Sequence, residues 1–447
     1  MNIILLSGGS GQRLWPLSND IRSKQFIKIF KTEDGYESMI QRMYRMINEC
    51  EPDSTVTIAT SKPQVSEIHN QLGDKVNISV EPCRRDTFPA IALSSAYLHD
   101  VVGLSEDEAV VVCPVDPYVE DDYFHMLNAL GERAKCSDAN LVLMGVEPTY
   151  PSMKYGYIIP DSKEQISTVS NFKEKPDVET AKAYLKQGAL WNGGVFAYRL
   201  GYVLDKAHEL IDFKDYNELF AMYSDLKKIS FDYAVVEKEP KIEVMRFAGQ
   251  WKDLGTWNTF TEAMADNTIG DAVLDDTCEN VHVINELKVP VLCMGLKDAV
   301  VAASPQGILV TDKERSGYMK PYVSQIDKQI MYSEKSWGTY RVIDVQKDSQ
   351  TILVTLKAGA MMNYHSHDRR DEVWTVISGK GCTILDGVEK AVIPGDVISM
   401  PAGCRHTVIA EKELKLIEVQ IGEDIDVSDK HKYSLLKLRT LKSAFVP

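Results

Sequence analysis

The chain has 447 residues, 50 of them basic and 65 acidic, and a formal charge of −15 at pH 7. That length exceeds one compact core and points to about two to three domains. The acidic balance excludes a general nucleic-acid-binding surface, which needs basic patches, but it admits a nucleotide substrate, because a divalent cation bridges carboxylates and phosphates. Eight scattered cysteines with no C-x-x-C pair read as thiols in a reducing cytosol. No apolar run is long enough to span a bilayer. The expectation is a soluble, cytoplasmic protein with neither a membrane nor a nucleic-acid partner.

The first half alternates between strand and helix patterns. "NIILLS" (2–7), "TVTIAT" (55–60), "NISVEP" (77–82), "AVVVCPVD" (109–116) and "NLVLMGVEP" (140–148) read as buried strands. Between them, segments 38–50, 63–72, 89–102 and 123–136 have helical periodicity. Continuous apolar strands separated by amphipathic helices predict an α/β fold, a mostly parallel, Rossmann-like sheet with helices on both faces. From about 271 to 325 helical periodicity fades, and short β runs such as "NVHVIN" and "DAVVAAS" predict a small β connector. From about 330 onward the pattern is almost entirely β, as in "TYRVIDV", "QTILVTLKAG" and "LKLIEVQIG", which predicts an all-β sandwich or small barrel. The domains expected are therefore 1–265, 266–328 and 329–447.

The stretch "LLSGGSGQRLWPLS" (5–18) follows the first strand. It is not a Walker A loop, and Leu14 stands where a dinucleotide-binding motif needs its last glycine. Gly8, Gly9 and Gly11 nevertheless let backbone approach an anion and aim N–H groups at it. Arg13 and Lys24 add positive charge. Asp116, just past a parallel strand, is placed where open α/β sheets bind ligands and where a carboxylate holds Mg²⁺. Each residue also has a bland reading: a plain βα turn, a cap before Pro117, a turn before Gly255.

Taken in order, "LSGGSGQRLWPLS", "KQFIKIF", "EPCRRDTFPAIAL", "PVDPYV", "YGYI", "FKEKP", "WNGGVFAYR", "FDYAVVEK" and "WKDLGTW" resemble the sugar-1-phosphate nucleotidyltransferases, and the W-P after R-L narrows this to the mannose-1-phosphate guanylyltransferases. The resemblance covers 1–265, and the β connector and C-terminal β domain extend it to the long bacterial forms with a cupin domain. It implies attack by a sugar-1-phosphate oxygen on the α-phosphorus of a nucleoside triphosphate, with GTP and mannose-1-phosphate as substrates and Mg²⁺ as cofactor. It implies that Ser7, Gly8, Gly9, Gly11, Arg13, Lys24 and Arg85 bind the nucleotide, with Arg13, Lys24, Asp116 and Asp253 catalytic. Asp116 and Asp253 would hold Mg²⁺, while Gly156, Glu174, Lys175 and Asn192 would bind the sugar phosphate. It also implies a homodimer and a role in nucleotide-sugar supply for polysaccharide or glycan synthesis. The chain departs from the family at Asp86, where Asn is usual, at "PVDPY" in place of P-A-D-H, and at Lys154 in place of a glycine. Another sugar phosphate such as a heptose, another nucleotide, a catalytically silent nucleotide-sugar sensor, and a cupin enzyme regulated by the N-terminal half remain as alternatives.

The C-terminal segment "GAMMNYHSHDRRDEVWTVISG" followed by "GDVISMPAGCRH" matches the spacing of the two cupin motifs, with Ala410 at the usual final Asn. His365 and His367 fall on one side of a strand, and Glu372 and His406 can converge on them from neighbouring strands. Three imidazoles and a carboxylate suit Zn²⁺ or another divalent transition metal. In bifunctional relatives this segment reads Q-x-H-x-H-R-x-E-x-W. Here Asn363 replaces the Gln, two extra residues precede Glu372, and the terminal arginine pattern is missing. Mannose-6-phosphate isomerisation is therefore an open second activity.

Overall fold

The computed structural model describes residues 1–9, 12–19, 21–326, 329–426 and 428–435. Nine strands form the first sheet. Their order across it is Asn77–Glu81, Thr55–Ser61, Asn2–Leu6, Ala109–Pro114, Leu190–Arg199, Leu141–Val146, Ile242–Phe247, Ile166–Lys173 and Gly156–Pro160. The first four are parallel to one another, as continuous apolar runs require when both faces are covered. Ile3 and Leu5 pack into one core and Ile4 into the other, so the strand is buried on both sides. Beyond this half the sheet is mixed. Leu190–Arg199 runs antiparallel to both of its neighbours, and Ile242–Phe247 is parallel to Leu141–Val146. Apolar content records that a strand is buried but not which way it runs, so this inserted strand had no signature in the sequence.

The connector is a short parallel coil. Thr268–Ile269 pairs with His282–Asn285, which pairs with Ala299–Ser304, and Ala272–Leu274 pairs with Val291–Cys293, all parallel. Val281, Val283, Cys293 and Val301 fill its interior. Gly307–Asp312 then turns back antiparallel to Ala299–Ser304. The C-terminal part is a β sandwich of six strands and five strands. Trp374, Val354, Leu356, Leu414 and Leu416 are buried between the two sheets.

The three parts meet around one loop and one helix. Ser304 Oγ donates to the Pro16 carbonyl at 2.8 Å, and a Cβ at Gly307 would come within 2.6 Å of the Trp15 ring. Arg22 pairs with Glu286 of the connector at 2.8 Å. Helix Val65–Leu72 packs against strand Tyr332–Lys335, where Asn70 Nδ2 donates to the Lys335 carbonyl at 3.3 Å and Lys357 Nζ donates to Asn70 Oδ1 at 2.7 Å. No helix among the described residues is long and apolar enough to cross a membrane.

Candidate active site and metal pocket

The chain leaves strand Asn2–Leu6 at Ser7 and enters the glycine turn at the carboxyl end of the parallel strands, where open α/β sheets bind ligands. The turn is tied down from behind. Gln25 Nε2 donates to both the carbonyl and the hydroxyl of Ser7 at 3.0 Å. The Gly9 carbonyl accepts from Ser23 Oγ at 2.7 Å, from Arg84 at 3.3 Å and from Gln64 at 3.4 Å. A Cβ on Gly8 would meet Glu81 at 3.5 Å and one on Gly9 would meet Gln25 at 4.0 Å. Both are ordinary contacts, so the glycines leave room for a ligand rather than for the protein. Gly11 lies outside the described residues. Arg13 is exposed, on the short helical turn Gln12–Leu14.

Lys24 is the centre of the constellation. Its ammonium lies 2.8 Å from Asp116 Oδ2 and 3.2 Å from Asp253 Oδ1. The pairing of Pro117–Val119 with Trp251–Asp253, with Pro117 opposite Asp253, brings the two aspartates together. Burial disfavours the charged lysine, but Asp116 and then Asp253 outweigh it and raise its pKa above the ordinary value. Two carboxylates already directed at one cation form a donor set that suits Mg²⁺.

Next to this pair is an open cleft lined by Asp116, Gly156, Glu174, Asn192, Asp232 and Asp253, among others. A Cβ at Gly156 would come 2.5 Å from Glu174 Oε2, so only glycine fits there. Lys175 Nζ holds Glu174 Oε1 at 2.5 Å. Asn192 Nδ2 donates to Asp232 Oδ1 at 2.7 Å, and its Oδ1 accepts from the Gly194 amide at 3.0 Å, which fixes the orientation of the carboxamide. Burial, followed by repulsion from Glu174, pushes Asp232 up to about 6. Lys154 lines the same cleft.

The sequence expectation differs from the structure around Arg85. Its neighbour Arg84 is the one that reaches the glycine turn, whereas the Arg85 Nε is buried without a hydrogen-bond partner. Asp86 takes a left-handed conformation (φ 72°) and caps helix Thr87–Tyr97 by accepting from the Thr87 amide at 2.9 Å. Ser23, Gln25, Gln64 and Asp232 were not foreseen as site residues. Gln25 and Asp232 lay in blocks the sequence had singled out, whereas Ser23 and Gln64 did not.

The cupin pocket brings His365, His367, His406 and Glu372 together, all at most 3 % exposed. His365 and His406 are register partners on adjacent strands, and ligand nitrogens of the three imidazoles lie within 4.8 Å of one another. Each Nδ1 faces a backbone carbonyl: Asn363 for His365, Asp429 for His367 and Cys404 for His406. These partners assign the ring protons to Nδ1 and leave the Nε2 lone pairs for the pocket. Glu372 Oε1 lies 3.0 Å from His367 Nε2, and Oε2 lies 3.2 Å from His406 Nε2. Glu372 Oε2 and His406 Nε2 have no hydrogen-bond partner, although both are buried. Burial, with Lys430 adding to it, pushes His365 down to about 2, so it is neutral. Unshared electron pairs from three rings and a carboxylate suit a divalent transition metal. Buried Arg370 also enters the pocket, 3.3 Å from His367 Nε2 and 3.5 Å from Glu372 Oε1. Gln420 joins Glu372 to a second buried carboxylate, Glu418, which burial and then Glu372 raise to about 8. The three residues added here, Arg370, Gln420 and Glu418, lie outside the cupin spacing.

A glycine turn at strand ends, paired aspartates on one cation and an adjoining polar cleft define a nucleotidyltransferase joined to a cupin domain. The chain belongs to the nucleotidyl transferase family, whose model ("Nucleotidyl transferase") matches residues 2–269, and a cupin domain model matches residues 352–420. Over nearly its whole length it is similar to "Xanthan biosynthesis protein XanB" of Xanthomonas campestris pv. campestris, at 29% identity over 95% of this chain and 96% of the relative. It is similar to the same extent to "Mannose-1-phosphate guanylyltransferase" of Escherichia coli, at 29% identity over 95% of this chain and 96% of that one. A crystal structure from Thermus thermophilus named "mannose-1-phosphate geranyltransferase" matches with a TM-score of 0.60 and 26% identity, over 72% of this chain and 98% of that one.

Proposed function

We propose that this enzyme transfers a guanylyl group from GTP to mannose-1-phosphate, giving GDP-mannose and pyrophosphate for polysaccharide synthesis, as a cytoplasmic homodimer. The observation that carries the reading is Lys24 held between Asp116 and Asp253 at the edge of a sugar-sized cleft. A phosphate oxygen of mannose-1-phosphate attacks the α-phosphorus, the α–β bond breaks, and pyrophosphate leaves. Mg²⁺ on Asp116 and Asp253 would neutralise the developing charge. The amides of Ser7, Gly8, Gly9 and Gly11, with Arg13, bind the triphosphate, and Lys24 serves phosphate oxygens. Glu174, Asn192 and Asp232 accept and donate hydrogen bonds to sugar hydroxyls, while Lys175 steadies Glu174 and the sugar phosphate. Pyrophosphate release is measured across four nucleoside triphosphates and several sugar-1-phosphates. GTP with mannose-1-phosphate gives the strongest signal, and Asp116→Asn lowers it by about two orders of magnitude or more. Silence from every pair would favour a sensor, and signal from a different pair would move the substrate.

The cupin pocket supports a second reading. His365, His367 and His406, with Glu372 beside them, would hold Zn²⁺ or a similar ion, and Arg370 adds a cation next to them. Isomerisation of mannose-6-phosphate needs a metal to polarise the carbonyl and a base to move a proton between C1 and C2. Incubation with mannose-6-phosphate and Zn²⁺ or Co²⁺ decides it: fructose-6-phosphate supports the isomerase, and none leaves the pocket a binding site.

A further inference from the structure

The sequence marked the glycine turn and Lys24, but nothing in it says what keeps them in register. In the structure that task falls on a buried amide. Gln64 is completely buried at the start of helix Val65–Leu72. Its Oε1 accepts from Thr60 Oγ1 at 2.9 Å, and its Nε2 donates to the Gly9 carbonyl at 3.4 Å and to the Ser23 hydroxyl. Ser23, in turn, donates to the Gly9 carbonyl at 2.7 Å and is the residue before Lys24. One side chain therefore ties the phosphate turn to the segment that carries the lysine. A second glutamine of the same helix, Gln71, donates to the Phe26 carbonyl at 3.1 Å, on the far side of Lys24. The segment is held before and after the lysine by one helix.

The opposite attachment of that helix is the cupin domain. Asn70, next to Gln71, donates to the Lys335 carbonyl and accepts from Lys357 Nζ. The same segment is also held by the connector through Arg22 and Glu286. A side chain buried this completely and with its polar atoms paired is expensive to displace, so movement of the helix moves the turn.

We propose that helix Val65–Leu72 couples the cupin domain to the nucleotide site, with Gln64 as the positioning residue that sets the glycine turn and Lys24. This rests on the guanylyltransferase reading for its kinetic consequence, but not for its structural one. Cupin docking then tunes nucleotide affinity through a packed, hydrogen-bonded chain and with no cupin residue in the active site.

The test uses the full-length chain. The double variant Asn70→Ala/Lys357→Ala cuts the docking contact, remote from both substrates. Gln64→Met removes the amide but keeps the bulk. Hydrogen–deuterium exchange is measured without nucleotide, and KM and kcat are measured with Mg²⁺, GTP and mannose-1-phosphate. Exchange in 21–26 rises at least threefold in both variants, while exchange in strand Leu141–Val146 stays as in the wild type. The KM for GTP rises about fivefold in the double variant and more in Gln64→Met, with the KM for mannose-1-phosphate within twofold in both and kcat within twofold in the double variant. A variant that merely unfolds would raise exchange in both regions, and the double variant alone then decides. Unchanged exchange in 21–26 and an unchanged KM for GTP in the double variant would overturn the coupling. A wild type with no turnover on any pair, but with faster exchange in the variants, would sink the guanylyltransferase reading and leave the coupling standing.

Discussion

At the scale of residues, the candidate site divides into groups that carry charge and groups that fix backbone. Lys24, Asp116 and Asp253 were legible because each lies in a short block with its own pattern, and the structure brings them within 3.2 Å. Ser23 and Gln64 were not legible. A polar residue that pins a carbonyl across the fold leaves no periodicity and no spacing rule. Gly156 belongs to the legible group and gives a sharp prediction. A Cβ there meets Glu174 Oε2 at 2.5 Å, Phe172 at 3.1 Å and Asn192 at 3.2 Å, so Gly156→Ala must displace the buried carboxylate. The expected result is a KM for the sugar phosphate raised roughly tenfold, which corresponds to about 1.4 kcal/mol, with the KM for GTP within twofold. Initial-rate kinetics with each substrate varied in turn check this.

At the scale of elements, helix Val65–Leu72 was expected as an amphipathic helix on the sheet, and its second packing surface was not. Two-sided packing places Glu67, in its first turn, at only 2 % exposure. Burial and then Glu334 of the cupin strand push it up to about 7, while Arg22, Lys335 and Lys28 pull the other way. The folded pKa is above the unfolded value, so its stabilisation is complete below pH 4.5, declines as pH rises, and is gone above about 7. The loss amounts to at most about 3 kcal/mol. Glu67→Gln has no such term. Its melting temperature should therefore exceed the wild-type value by an amount that grows from pH 4.5 to 7 and then stays level. Calorimetric scans of both proteins at half-unit pH steps measure this, and a pH-independent difference would contradict it. The strand directions show the same limit of sequence reading. The parallel half of the sheet follows from apolar runs alternating with helices, whereas Leu190–Arg199 is buried along nearly its whole length like its neighbours and yet runs against both.

At the scale of the whole molecule, the succession of α/β sheet, β connector and cupin sandwich was visible in how periodicity changes along the chain. The contacts that join the three parts were not, because they are single side chains: Arg22 to Glu286, Asn70 to Lys335, Ser304 to Pro16. The cupin pocket supplies a test that needs no substrate. A metal that binds the folded protein stabilises it by mass action, by about 2.7 kcal/mol at a hundredfold excess over Kd. Zn²⁺ added to metal-free protein should raise the melting temperature, and His406→Ala should abolish the rise. No shift in the wild type would argue against a metal site.

The mixed sheet has a further consequence. The candidate triphosphate residues from Ser7 to Asp116 all precede strand Leu141–Val146, while Gly156, Glu174, Asn192 and Asp232 all follow it. On the proposed function, recognition of the donor and of the acceptor would be written in separate stretches of chain that share the two aspartates and little else. Such a layout lets a lineage exchange one acceptor for another by rewriting residues 150–235 while the donor half is inherited intact, and chimaeras between relatives joined within strand Leu141–Val146 should keep one parent's nucleotide and take the other's sugar.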